Sequence, residues 1–161
     1  MAVHIQNYAW SVMIIRRYTK ADIPDMVKHS REALEAFHYR GIAFSNDKVE
    51  VMLLGNLRNP SFFCDVIDVD GEIGGALCAM VSEYIHSYEA FAQDWIFYIR
   101  PEYRSLTGAV ALVRNYVKWA KSRGVRQIRF DQSTGYKIDK FAVLMKRCGF
   151  NQIGTKWSME A

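Results

Sequence analysis

The sequence predicts a mixed α/β sheet in one domain over residues 1–161. Three observations carry this: an Asp70-Gly71 pair between two strand-like runs, a later strand–helix–strand order, and apolar residues at helical spacing between the strands. At 161 residues and 18.6 kDa the chain is long enough to bury about two-thirds of its unfolded surface. Half the residues are hydrophobic (50%) and 24% are charged, which excludes disorder, collagen-like repeats and a coiled-coil rod.

Residues 13–18 are short and β-branched, and Thr19 with Asp22 makes an [ST]-x-x-[DE] capping box that opens a helix with Pro24 in its first turn. Ile23, Met26, Val27, Leu34 and Phe37 give that helix one buried stripe. Asn46 is placed to cap a second helix with the face Val49, Met52, Leu53 and Leu57, ended by Asn59-Pro60. Residues 62–69 and 72–81 flank the hairpin turn, and 91–99 form a third strand of the meander, closed by Arg100-Pro101 because proline cannot donate to a ladder. After Gly108 a long helix buries Ala109, Leu112, Val113, Tyr116, Val117 and Ala120 and turns Arg114, Lys118 and Lys121 outward; Gly124 caps it. Residues 125–131 are expected as a strand, 138–148 as a helix ending at Gly149, and 150–159 as a last strand.

The net charge of +4 is unevenly spread. Residues 1–99 carry 8 basic and 13 acidic side chains, and residues 100–161 carry 13 basic and 4 acidic. A basic half attracts a polyanion, whether a phosphorylated cofactor or nucleic acid, or is simply a solvated face. Cys64, Cys78 and Cys148 lie far apart in apolar segments and read as buried thiols, with neither a disulfide framework nor a zinc site. His4, His29, His38 and His86 show no metal-ligand spacing and read as non-catalytic. Trp10, Trp95, Trp119 and Trp157 read as core or interface residues. No apolar run approaches the length of a membrane span and the start lacks a secretory pattern, so the expected location is the cytoplasm, with no membrane partner.

The stretch Tyr98-Ile-Arg-Pro-Glu-Tyr-Arg-Ser-Leu-Thr-Gly-Ala109, between a strand and a helix, resembles motif A of the GNAT N-acetyltransferase superfamily. The opening Arg17-x-x-x-x-Asp22 segment and Lys146-Arg-Cys-Gly-Phe150 are similar to the family pattern at the right spacing. The resemblance implies a mostly antiparallel sheet of six to seven strands, splayed between the fourth and fifth, with about four flanking helices. It implies acetyl-CoA as co-substrate, no metal, an amine-bearing acceptor, and a homodimer as a common state. The pyrophosphate would lie on amides at a helix start, where the positive dipole end sits. Arg104, Ser105, Thr107, Gly108 and Ala109 match that loop, with threonine at 107 where the family usually has glycine. Phe97, Tyr98 and Ile99 would meet the pantetheine arm through their main chain, 131–133, including Ser133, would form the other lip, and Arg100, Arg104 and Arg114 would add positive field.

Acetyl transfer to an amine needs a base, a polarised carbonyl and a route for the leaving thiolate. Asp94 stands on the cofactor-bearing strand where many family members carry a glutamate base, its shorter side chain working through water; the alternative reading is an exposed aspartate at a strand start. Glu83 and Glu89 are second choices. The position of the family's usual acid tyrosine is Met145, a core residue, so Tyr136 or Ser133 would substitute or the thiolate would leave unaided. The resulting expectation is an N-acetyltransferase acting on a primary amine. The alternatives are a GNAT-fold module that binds CoA or a partner without catalysis and, ranked last, a nucleic-acid-binding domain. The acidic first half favours a cationic acceptor such as a polyamine, aminoglycoside, lysine or protein N-terminus.

Overall fold

Short, mostly apolar and β-branched runs in the first hundred residues form an antiparallel meander of β1 (Met13–Arg17), β2 (Phe62–Val69), β3 (Glu72–Glu83) and β4 (Ala90–Ile99), and β5 (Gln127–Arg129) joins β4 in parallel. The computed structural model describes residues 13–37, 41–132, 134–135 and 137–159. Asp70 and Gly71 take φ of 52° and 92°, the positive values that a tight hairpin turn requires. Asp68 braces the turn by accepting from the Gly71 N–H at 2.7 Å.

Successive strand residues face opposite sides of the sheet, so the meander supports two cores. Tyr18, Phe62, Val66 and Ile73 pack on one face under α1 (Ile23–Ala36) and α2 (Asn46–Asn56), with Met26 and Leu53. Phe63, Ile67 and Leu77 pack on the other under α3 (Leu106–Ser122) and α4 (Ile138–Arg147), with Leu112, Tyr116 and Leu144. Cys64 and Cys78 are directly opposite on β2 and β3, both free and buried. The Thr19–Asp22 capping box opens a single 3-10 turn at Lys20–Asp22 that runs into α1. Arg16 reaches Asp22 at 2.7 and 2.8 Å and Asp68 at 2.8 Å, and its guanidinium holds the Asp22 carboxyl down at about 2.

Four expectations from sequence are corrected. Among the described residues the sheet has five strands where about six to seven were expected, and residues 150–159 form no ladder. Their apolar residues Phe150, Ile153, Trp157 and Met159 do not alternate, Gly154 interrupts the run, and Trp157 is 90% exposed. The strand expected over 125–131 shrinks to Gln127–Arg129. Ser45, not Asn46, caps α2, accepting from the Lys48 N–H at 3.2 Å, while Asn46 accepts from Arg31 at 2.7 Å. The long helix starts before Gly108, at Leu106, because Ser105 accepts from the Gly108 N–H at 3.0 Å.

Arg100 is a further correction. It is 3% exposed and is committed inward rather than to a phosphate field. Its guanidinium donates to Glu32 at 2.7 Å, Glu72 at 2.9 Å, Asp25 at 3.0 Å and the Ile73 carbonyl at 2.7 Å. One side chain thus ties α1 and the start of β3 to the end of β4. Removing one partner of a buried ion cluster leaves charge without compensation. Arg100→Ala is expected to lower unfolding free energy in urea by about 3 kcal/mol; a loss below the scatter of surface mutants would show that solvent screens the three carboxylates.

Candidate active site

The β4–β5 ladder is short. β5 pairs only with Phe91–Gln93, although β4 continues to Ile99. Beyond Gln93 the two chains part, and Asp94 stands at that point. A bulge sets its direction: Ala79 faces Asp94 while Cys78 faces Ile96, so Trp95 is the extra residue. Trp95 meets Phe62 with ring centres 5.8 Å apart, and Ile96 packs on the same α1–α2 cluster. Asp94 turns instead to the far side of the gap and accepts from the Asp131 N–H at 2.7 Å and from Gln93 Nε2 at 2.7 Å. Burial pushes its carboxyl up to about 7, against the opposing pull of the Asp131 amide. Asp94 is therefore a half-buried mid-strand group rather than an exposed aspartate at a strand start.

A cavity of about 800 Å³ passes from the α1–α2 face, past β4 and through the gap, to α3 and α4. Asp94, Phe97, Tyr98, Ile99, Arg104, Ser105 and Ala109 all line it. The Arg100 N–H donates to Gly74 at 2.9 Å; since facing pairs alternate along an antiparallel ladder, Tyr98 turns its main chain to β3, and Phe97 and Ile99 turn theirs to the open edge. Tyr98 reaches the cavity through its ring, which lies 5.0 Å from the His29 ring and 5.6 Å from Phe37. The Ile99 carbonyl accepts from Arg104 Nε at 2.9 Å.

The start of α3 presents a place for an anion. The first amides of a helix have no carbonyl one turn back to bond, and of these the Gly108 N–H is spent on Ser105 Oγ. The Leu106 and Thr107 amides remain, at the positive end of a 17-residue helix. Arg104, Lys137 and Lys140 bring cationic side chains to the same cavity. An open strand edge, two helix-start amides and nearby cations fit an extended diphosphate ester such as CoA.

His29 is the residue the sequence reading missed. It is 1% exposed, lines the cavity, and its Nε2 has no hydrogen-bond partner among the described residues. Leaving such an atom unpaired costs about 1–3 kcal/mol. Burial, with the Arg100 charge adding to it, pushes the imidazole down to about 4, so it is neutral at pH 7. The signal was its spacing from Met26 and Ala33, which puts it on the buried face of α1. Glu83 is exposed at the end of β3 and Glu89 is exposed beyond it, and neither lines the cavity. Thr107 is exposed in the first turn of α3, and Met145 is in the core. Ser133 and Tyr136 lie outside the described residues. Among the described residues no group of His, Cys, Asp or Glu could hold a metal ion, and no helix is long and apolar enough to cross a membrane.

Comparison with known proteins agrees with this geometry. The structure is similar to a predicted acetyltransferase from Clostridium acetobutylicum solved with acetyl-CoA, at 16% identity and a TM-score of 0.75, covering 92% of this chain and 96% of that one. It is also similar to AAC(6')-Iy in complex with the bisubstrate analog CoA-S-monomethyl-acetylneamine, at 16% identity and a TM-score of 0.73, covering 94% and 99% of the two chains. An aminoglycoside acetyltransferase, meta-AAC0020, from an uncultured soil metagenomic sample, in complex with sisomicin, matches at 15% identity and a TM-score of 0.66, over 92% and 97%. At these identities the likeness is one of fold. The search of curated proteins finds no match. The model of the acetyltransferase (GNAT) family matches residues 25–150, and with most of the sequence covered, the split sheet and the helix start in place, the chain belongs to the GNAT acetyltransferase family.

Proposed function

We propose that the protein transfers the acetyl group of acetyl-CoA to a primary amine by direct attack, with Asp94 as the base. The observation that carries this reading is the placement of Asp94 where β4 leaves β5, lining the cavity, with its carboxyl raised to about 7. A base with a value near working pH is both substantially ionised and basic enough to take a proton.

The diphosphate rests on the Leu106 and Thr107 amides, with Arg104, Lys137 and Lys140 supplying positive charge, and the pantetheine arm runs along the open edge at Phe97 and Ile99. The amine nitrogen attacks the thioester carbon, forming a C–N bond as the C–S bond breaks. Asp94 takes the proton of the attacking nitrogen, directly or through a water, and returns it to solvent. CoA departs as the thiolate. Phe97 and Ile99 main-chain groups orient the thioester, and the amides at the start of α3 fix the distance from the diphosphate to the reacting carbon. Acceptor and donor approach from opposite faces of the sheet, since the cavity opens toward α1–α2 on one side and α3–α4 on the other.

Three outcomes test the reading. Saturating acetyl-CoA is expected to raise Tm by several degrees through binding to the folded state; no shift and no detectable binding would remove the cofactor assignment. Asp94→Asn keeps the shape of the site and should retain that thermal shift while kcat falls by roughly 100-fold or more. Unchanged turnover would take Asp94 out of the mechanism. The pH profile supplies the third: kcat/KM should rise with pH through about 7 as Asp94 ionises, and the residual activity of Asp94→Asn should lack that limb. The same elevation makes the native state hold the proton longer than the unfolded chain, so stability should fall as pH rises from about 4 to about 7, a slope that Asp94→Asn flattens in urea titrations.

A further inference from the structure

The first half of the chain is acidic, yet among the described residues Asp94 is the one carboxylate of that half that lines the cavity. Asp25, Glu32 and Glu72 are gathered on Arg100, and Asp22 and Asp68 on Arg16. Asp65 accepts from Asn115 at 3.0 Å. Among the described residues, the carboxylates lining the cavity are Asp94 and Asp131, and Asp131 is paired with Lys156 at 3.2 Å. A polycationic acceptor would therefore lose water at several ammonium groups and meet one carboxylate, which is costly. The α1–α2 end of the cavity is instead walled by Met26, Leu34, Phe37, Phe44, Met52 and Trp95.

Among the described residues, the polar groups on that wall include Ser30, the Tyr98 hydroxyl and the buried Nε2 of His29, which has no hydrogen-bond partner among them. A neutral imidazole offers one N–H and one lone pair, enough to serve one polar group of a ligand. Two flexible methionines and three aromatic rings accept a flat or branched apolar body. The bulge at Trp95 places that body and Asp94 on either side of the same strand, so an amine on a short arm can pass the edge of β4 to reach the base.

We propose that the acceptor is a lipophilic amine, with an aromatic or branched apolar body seated between α1, α2 and the β4 bulge and one hydrogen-bonding group of its own on His29 Nε2. This rests on the acetyl-transfer reading above and departs from the cationic acceptor suggested by net charge. His29 is a specificity residue in this assignment, since it meets the acceptor away from the reacting atoms.

The test is steady-state kinetics of the whole protein with acetyl-CoA and four acceptors: phenethylamine, tyramine, spermidine and kanamycin. The two arylalkylamines are expected to exceed the two polycations in kcat/KM by about 10- to 100-fold, the ratio that burial of one aromatic body supports. His29→Phe keeps a ring against Tyr98 and deletes Nε2. It should raise the ratio of KM for tyramine to KM for phenethylamine by about 5- to 10-fold. If that variant does not fold, His29→Met is read by the same split. Preference for spermidine or kanamycin, or no acetylation of either arylalkylamine by protein that binds acetyl-CoA, overturns the lipophilic acceptor and leaves the acetyl-CoA site standing. Equal changes in KM for phenethylamine and tyramine overturn the role of His29. Failure of acetyl-CoA itself to bind removes the transfer reading and this acceptor with it.

Discussion

The bond from the Asp131 N–H to the Asp94 carboxylate governs the functional half of the molecule. The parallel ladder ends at Gln93 and Arg129, and at that point a side chain takes over from the main chain as the link across the sheet. If the ladder continued, the β4 edge would be paired and there would be no cleft; where it stops, the Asp94 carboxylate adds one bond across the gap to those that hold β5 on α3 and β4. Asp94 spaces the two lips and at the same time lies buried in the gap it keeps open. The burial that raises its affinity for protons follows from this structural position.

Arg100 organises the other half. It draws carboxylates from α1 and β3 to the end of β4, which fixes α1 over the sheet and brings His29 against Tyr98. The same arrangement draws Asp25, Glu32 and Glu72 of an acidic segment onto Arg100 and leaves the α1–α2 end of the cavity mostly apolar. Net charge over a stretch of sequence describes the chain, whereas the field in a site depends on which charges remain unpaired there. In the basic C-terminal half, Arg104, Lys137 and Lys140 line the cavity.

Local chemistry decided which parts of this architecture were readable. Asp70-Gly71 announces its hairpin because few other pairs tolerate two positive φ angles, and the α3 stripe from Ala109 to Ala120 announces a buried helix through its period. The motif running from Tyr98 to Ala109 located the strand-to-helix junction, although Ser105 starts the helix earlier than Gly108 suggested. Arg100 was misplaced because its partners lie at positions 25, 32 and 72, a grouping that only the folded chain creates. His29 reads as non-catalytic because nothing in its spacing signals that its Nε2 finds no partner among the described residues. The bulge at Trp95 is equally silent: one additional residue in a strand changes which side chains share a face without altering composition. Residues 150–159 show the reverse error, since β-prone residues without alternation or a partner edge did not make a strand.

The sheet is also unequal in how firmly its parts are joined. β1 to β4 are laced by long antiparallel ladders, whereas β5 is held to β4 by three residue pairs. Free energies of local opening follow that disparity. On that principle the three-pair β5 ladder is expected to open ahead of the meander. The lip of the cleft on the β5 side is thus the least firmly anchored border of the cavity, while the meander supplies its rigid wall.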